Sequence, residues 1–224
     1  MKIRLKFEKG HPVMFISHLD VIRVFERAFR RANLPISYTK GFNPRPKMTF
    51  TPALPVGTTS CSEYMDCEFD EEILPRDVMI RLNNVLPIGI KILEAEVADN
   101  KLPLSSLNAA SYVVSIEDGS NNEAKLRNAI KEVENSKEIF IEKQSKSGAK
   151  QVNIIPLIYS IEVLESNSEG IKILMKLSIG QEGSISPSVI ISVLERIAGF
   201  EFEINYIFRR EIYYFDGNKK IFPI

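Results

Sequence analysis

The feature that most constrains the fold is a switching hydrophobic period. It changes from about two residues to about 3.6 and back, first within residues 2–97 and again from Ala110 onward. Lys2 to Phe7 sets Ile3, Leu5 and Phe7 against Lys2, Arg4 and Lys6, as a strand with one wet face does. Ser17-x-x-Asp20 then carries the signature of a capped helix start. Val21, Val24, Phe25, Ala28, Phe29 and Ala32 fall on one helical arc, and Arg23, Arg27, Arg30 and Arg31 fall opposite. Asn33 and Pro35 end that helix.

Ile36 to Tyr38 begins a second strand, which Lys40-Gly-Phe-Asn-Pro-Arg-Pro-Lys47 interrupts and Met48 to Thr51 resumes. Two prolines and a glycine make that interruption a shaped loop. Tyr64 to Phe69 alternates again, with Cys67 directed to the core. A helix opens at Pro75 with Val78, Leu82, Val85 and Leu86 on its stripe, and Ile88 to Val97 is a fourth strand. The order is β-α-β-β-α-β, the ferredoxin-like arrangement.

Residues 100–108 read as a linker, after which the pattern returns. Ala110–Glu117 is a strand and Asn122–Asn135 a helix. Two strands follow at Lys137–Lys143 and Gln151–Leu164, joined through a lysine-rich tip with Lys143, Lys146 and Lys150 that reads as a solvated hairpin end. Ile171–Ile179 alternates, Ser186-Pro187 opens a helix that Gly199 stops, and Phe202–Tyr214 is a long last strand. The expected fold is therefore α+β, with two tandem ferredoxin-like units at 1–99 and 109–224. Their sheets would be antiparallel with helices on one face, and the second unit would be elaborated by about one strand.

A net charge of zero hides a segregation: residues 1–50 carry eleven bases against three acids, while Glu63 to Asp77 is dominated by acids. Such asymmetry bears on partners rather than fold. A basic face would attract an anion such as RNA, or be neutralised by the acidic stretch of the same domain. Two cysteines at C-x5-C spacing suit neither a zinc knuckle nor a redox pair. With a strand-like opening and no long apolar run, the expected setting is the cytoplasm, without a signal peptide or membrane span.

The runs FISHLD, RAFRRANLPISYTKGFNPRPKMTF, ALPVGTTS and SEYMD closely resemble the N-terminal half of the radical-SAM-associated (radical-SAM-linked) proteins, a family of unknown function. The likeness continues more weakly in Lys146-Ser-Gly148-Ala-Lys150-Gln-Val-Asn and Gly183-Ser-Ile-Ser-Pro187. Members occur fused behind a radical-SAM domain or encoded beside one. The resemblance implies the free-standing form and a radical-SAM protein as partner. The chain has no C-x3-C-x2-C motif for an iron–sulfur cluster, so it is not a radical-SAM enzyme by itself.

Three candidate sites stand out. Arg23, Arg27, Arg30 and Arg31 form a possible phosphate rail, for which the structural alternative is a solvated helix face. Lys40, Arg45 and Lys47 add charge from the loop, and Phe42 offers a ring on which a base can stack; the alternative for Phe42 is an anchor tucked into the core. His18, beside Asp20, is a candidate general base, against an imidazole hydrogen-bonded to a nearby carbonyl that fixes the helix start. No metal set and no cofactor are expected.

The reading that follows is a non-catalytic RNA-binding or substrate-presenting module acting with a radical-SAM protein. The alternative is a protein–protein adaptor for that enzyme without RNA contact. A third possibility is a metal-independent ribonuclease of the CRISPR-repeat processing kind with His18 as base. Against it, Phe208–Ile224 lacks the glycine-rich loop such a fold needs.

Overall fold

The alternation at the N-terminus does produce the first strand, β1 (Lys2–Lys9), which buries Ile3, Leu5 and Phe7. The computed structural model describes residues 1–98, 102–117, 122–145, 148–168, 170–180 and 183–224. It shows a mixed α+β protein with mostly antiparallel strand pairing and four α-helices among the described residues. Two units separate, Met1–Leu107 together with Arg209–Ile224, and Asn108–Phe208.

In the first unit, β1 is followed by α1 (His18–Arg31), β2 (Met48–Phe50), β3 (Thr58–Glu68), α2 (Pro75–Asn83) and β4 (Ile90–Val97). The strand order is β4-β1-β3, with β2 on the far edge of β3 through Met48↔Cys67 and Phe50↔Met65. Ile3, Leu5, Phe7, Met65, Cys67, Ile90 and Ile92 from the sheet share one apolar core with Val21, Phe25 and Phe29 of α1 and Val78 and Leu82 of α2. Both helices therefore lie on one face, as a single hydrophobic side per strand demands. Phe7 and Phe25 meet edge to face at 4.9 Å.

The second strand is shorter than the sequence predicts. Ile36 and Tyr38 make only isolated bridges, to Phe69 and Pro46, and regular pairing begins at Met48. Pro35, Pro44 and Pro46 have no N–H to give a ladder, so the chain touches the sheet at points until they are past.

The last stretch of chain is also placed differently from the expected 109–224 unit: Arg209–Ile224 belongs with the first unit. The segment buries Ile212 and Tyr213 and is tied in through two buried, ion-paired arginines. Arg209, fully buried, donates from Nε to Glu63 Oε1 at 2.8 Å and from Nη2 to Glu63 Oε2. Arg4, on the face expected to be wet, is 2% exposed; it pairs with both oxygens of Asp66 at 2.7 and 2.9 Å and donates to the Pro223 carbonyl. Bidentate guanidinium–carboxylate contacts of this kind are the form in which buried charge is tolerated.

The second unit contains β5 (Ala109–Glu117), α3 (Glu123–Asn135), β6 (Phe140–Ser145), β7 (Gly148–Asn153), β8 (Ile158–Asn167), β9 (Gly170–Ser178), α4 (Pro187–Ala198) and the start of β10 (Glu203–Phe215). Its order is β10-β5-β9-β8, and β6 and β7 form a separate two-stranded ladder. The strand predicted over Gln151–Leu164 is two strands, broken by a tight turn at Ile155–Leu157, because Pro156 cannot donate within a ladder. The lysine-rich hairpin sets Lys143 opposite Lys150, while Lys146 lies outside the described residues. Pro187 opens α4, and Gly199 ends it in the left-handed conformation (φ 78°).

Asn100 and Lys101, at the start of the predicted linker, lie outside the described residues. The remainder is anchored: Leu104 and Leu107 are 2% and 1% exposed. No helix among the described residues is long and apolar enough to cross a membrane.

Candidate nucleic-acid interface

The cap of α1 forms as the sequence implies. Ser17 Oγ accepts the Asp20 N–H at 3.2 Å, and the Ser17 hydroxyl donates to Asp20 Oδ2 at 2.6 Å. These bonds, with Arg23, hold the Asp20 carboxyl below its ordinary value and set a negative charge where the helix dipole favours one. With Val21, Phe25, Ala28 and Phe29 buried on the inner side, Arg23, Arg27, Arg30 and Arg31 must point outward, and all four are exposed.

Their partners differ. Arg23 Nη1 lies 3.0 Å from Asp20 Oδ1, and Arg31 Nη2 donates to the Val85 carbonyl at 2.6 Å. Arg27 and Arg30 have no hydrogen-bond or ion-pair partner among the described residues.

The loop beyond α1 is closed by its own backbone. Thr39 N–H donates to the Arg45 carbonyl at 2.9 Å, Arg45 N–H to Thr39 Oγ1 at 3.0 Å, and Lys47 N–H to the Ser37 carbonyl at 2.8 Å. Gly41 takes a φ of 135°, which side chains rarely tolerate, and so turns the tip. The alternative of Phe42 as a core anchor is not what forms: its relative exposure is 106%, the whole ring in solvent. The short, proline-bound closure leaves the tip residue nowhere inward to go.

Arg45 and Lys47 are each paired, Arg45 Nη1 to Glu26 Oε1 at 3.3 Å and Lys47 Nζ to Glu68 Oε2 at 2.9 Å. The Lys47–Glu68 contact raises the lysine pKa and lowers that of the acid. Lys40 is exposed and has no partner among the described residues. The outcome for the expected cationic surface is divided: Arg23, Arg45 and Lys47 are neutralised by the protein's own carboxylates, and Arg27, Arg30 and Lys40 are not. The Arg45–Glu26 contact nevertheless brings the loop alongside α1, so the rail and the ring share one region of the first unit.

Behind the start of α1 lies a second set of residues, which the sequence reading missed apart from His18. His18, Lys9, Glu63 and Thr51 line a cavity of about 10 Å3 with Phe7, Val21, Phe50 and Leu54. Lys9 is 3% exposed and donates to the carbonyls of Met14 and Ile16 at 2.9 and 3.1 Å, fastening the turn that leads into α1. Burial pushes its pKa down, Glu63 partly opposes this and Arg209 adds to it.

His18 makes no hydrogen bond among the described residues, contrary to the carbonyl-bonded imidazole expected. Its ring stands edge-on to Phe50 at 5.6 Å. Burial lowers its pKa from 6.5, with Glu63 pulling upward and Arg209 and Lys9 pushing further down, so the ring is neutral at physiological pH. The parity of β1 gave a signal for Lys9, which follows Ile3, Leu5 and Phe7 at every second position. Among the described residues, no group of three or more His, Cys, Asp or Glu side chains gathers so as to hold a metal ion.

Comparison with solved structures finds similarity to a chain of a Cbf5-Nop10-Gar1 complex, with 13% identity, 92% of this chain and 47% of that chain covered, and a TM-score of 0.53. A chain of an H/ACA RNP bound to a substrate RNA containing 2'-deoxyuridine gives 13% identity, 92% and 46% coverage and a TM-score of 0.48. A chain of an archaeal box H/ACA sRNP Nop10-Cbf5 complex gives 14% identity, 92% and 46% coverage and a TM-score of 0.46. The protein thus spans less than half the length of these three chains, and identities this low speak to fold alone. No curated protein matches the sequence. A family model does match, over residues 2–187, and the chain belongs to that family, described as "Uncharacterized protein conserved in bacteria (DUF2344)".

Proposed function

We propose that this protein is a non-catalytic RNA-binding or substrate-presenting module of the cytoplasm that works with a radical-SAM protein. The observation that carries the reading is a set of exposed cations without a partner among the described residues, Arg27 and Arg30 on α1 and Lys40 on the loop, together with the wholly exposed ring of Phe42 on that loop. Outward guanidinium and ammonium groups engage a phosphate backbone, and an aromatic face engages bases. Arg23, Arg31, Arg45 and Lys47 extend this surface, three of them through long side chains that can exchange a surface carboxylate for a phosphate at small cost.

The radical-SAM partner is inferred from the resemblance of FISHLD and KGFNPRPK to the radical-SAM-associated proteins. On the same reading the two units are divergent copies of a ferredoxin-like βαββαβ unit. Each places its first strand between its fourth and third, β4-β1-β3 and β10-β5-β9, with the second strand at the edge, and β6–β7 is an insertion.

The test is filter retention of labelled structured RNA at low salt. Arg27→Glu and Arg45→Glu weaken retention without loss of fold, and no retention by the wild-type chain overturns the reading. A protein-adaptor role is the second reading, favoured by exposed apolar side chains at the start of α1, Phe15 at 74% and Leu19 at 64%, and by Val56 at 59% in the β2–β3 connection, whose neighbour Gly57 donates to the Met14 carbonyl. Co-purification with the radical-SAM protein that resists nuclease distinguishes it.

A further inference from the structure

Resting on the RNA reading above, we infer that the closed loop around Phe42 selects unpaired nucleotides, so that the preferred ligand is single-stranded or looped RNA rather than continuous duplex. A phenyl ring with 106% relative exposure contributes nothing to the core, and the segment that carries it is not loose. Three hydrogen bonds between Ser37–Thr39 and Arg45–Lys47 close the base of the loop, the Tyr38↔Pro46 bridge lies between them, and Pro44 and Pro46 restrict the returning limb. The ring is therefore held out in advance of any ligand, and little ordering entropy is lost when a flat surface stacks on it.

The chemistry of the ring decides the ligand. A phenyl group has no hydrogen-bonding atom with which to read a base edge, and offers only its face. In an A-form duplex the base faces are covered by their neighbours, and the major groove is too deep and narrow to admit side chains. An unpaired base exposes its face, and every base has one, so selection is for strandedness and not for sequence. Lys40 and Arg45 stand two and three residues from the ring in the chain and supply positive charge for the phosphates of a stacked nucleotide, Arg45 by exchanging its surface contact with Glu26. Arg27 and Arg30 of α1 would engage a backbone whether or not its bases are paired.

The experiment uses the full chain and two fluorescein-labelled probes at low salt. One is a mixed-sequence single strand of about 12 nucleotides, the other the same strand annealed to its complement. The wild-type chain binds the single strand more tightly. Phe42→Ala weakens that binding by about 5- to 150-fold and leaves duplex binding unchanged, while Phe42→Tyr retains the wild-type preference. If the wild type binds both probes and Phe42→Ala changes neither, or lowers both equally, strand selection by this loop is overturned while the RNA reading stands. If the wild type binds neither probe, the RNA reading falls and takes this inference with it. Phe42 is wholly solvent-exposed, so the substitution leaves the fold intact.

Discussion

Arg45 on the loop reaches Glu26 on α1 across 3.3 Å, and Glu26 is the more buried of the two, its side chain 16% exposed against 73%. The contact fixes where the loop stands relative to the helix and removes one acid from the field around Arg27 and Arg30. Because the loop is closed by its own backbone, it does not depend on this ion pair for its shape.

Glu26→Gln should therefore bind RNA more tightly, by about two- to five-fold at low salt, while thermal unfolding reports a stability change within ~1 kcal/mol, the scale of an exposed ion pair. Fluorescence titration beside a melting curve checks both. A large loss of stability would mean that the pair holds the unit together rather than placing the loop.

The Arg209–Glu63 pair belongs to the interior and behaves differently. Arg209→Met leaves the Glu63 carboxylate buried without its guanidinium, and unfolding in urea should show a loss of ~3–5 kcal/mol. The double variant Arg209→Met with Glu63→Leu should recover much of that loss, since no uncompensated charge remains. Equal losses in the single and double variants would show that Arg209 acts through packing alone.

His18 gives the fold a pH dependence whose sign follows from its environment. Its folded pKa is lowered from 6.5, chiefly by burial and despite the attraction of Glu63. Between the folded and unfolded values the unfolded chain holds the extra proton, so stability rises with pH there. The His18 contribution is fully present above about pH 6.5 and is lost as pH falls toward the folded value. Urea unfolding from about pH 7.5 to 5 should show a steeper decline for the wild type than for His18→Gln.

The helix cap is the simplest test of the scaffold under the cationic face. Ser17→Ala removes the acceptor for the Asp20 N–H and the donor to its carboxylate, and should cost ~1 kcal/mol in chemical denaturation. RNA affinity should fall only as far as the start of α1 frays.

How far the fold could be read in advance depended on how local its determinants are. The α1 helix was legible because cap, apolar arc and terminator all lie within residues 17–35, and α4 likewise between Ser186 and Gly199. The break at Pro156 was missed in a strand read as continuous over Gln151–Leu164, although the proline inside it was a local signal. The Arg209–Glu63 pair was not legible, because its members stand 146 residues apart and nothing local marks either as buried. Arg4 misled for a related reason: it alternates as a wet-face residue should, and only the return of the C-terminal segment covers it. In the candidate site, the outward arginines followed from helical period, and the loop's stiffness from its prolines. Which way Phe42 points, and which cations keep a carboxylate, depend on neighbours brought in by the fold.

The salt dependence of RNA binding bears most directly on whether the unpaired cations hold a polyanion. Log Kobs for a single-stranded RNA should fall linearly with log salt, by about 0.7 per phosphate contact. The combined variant Arg27→Glu, Arg30→Glu, Lys40→Glu should give a clearly shallower line at unchanged circular dichroism. An identical slope for the folded variant, or no binding by the wild type at low salt, would contradict that role.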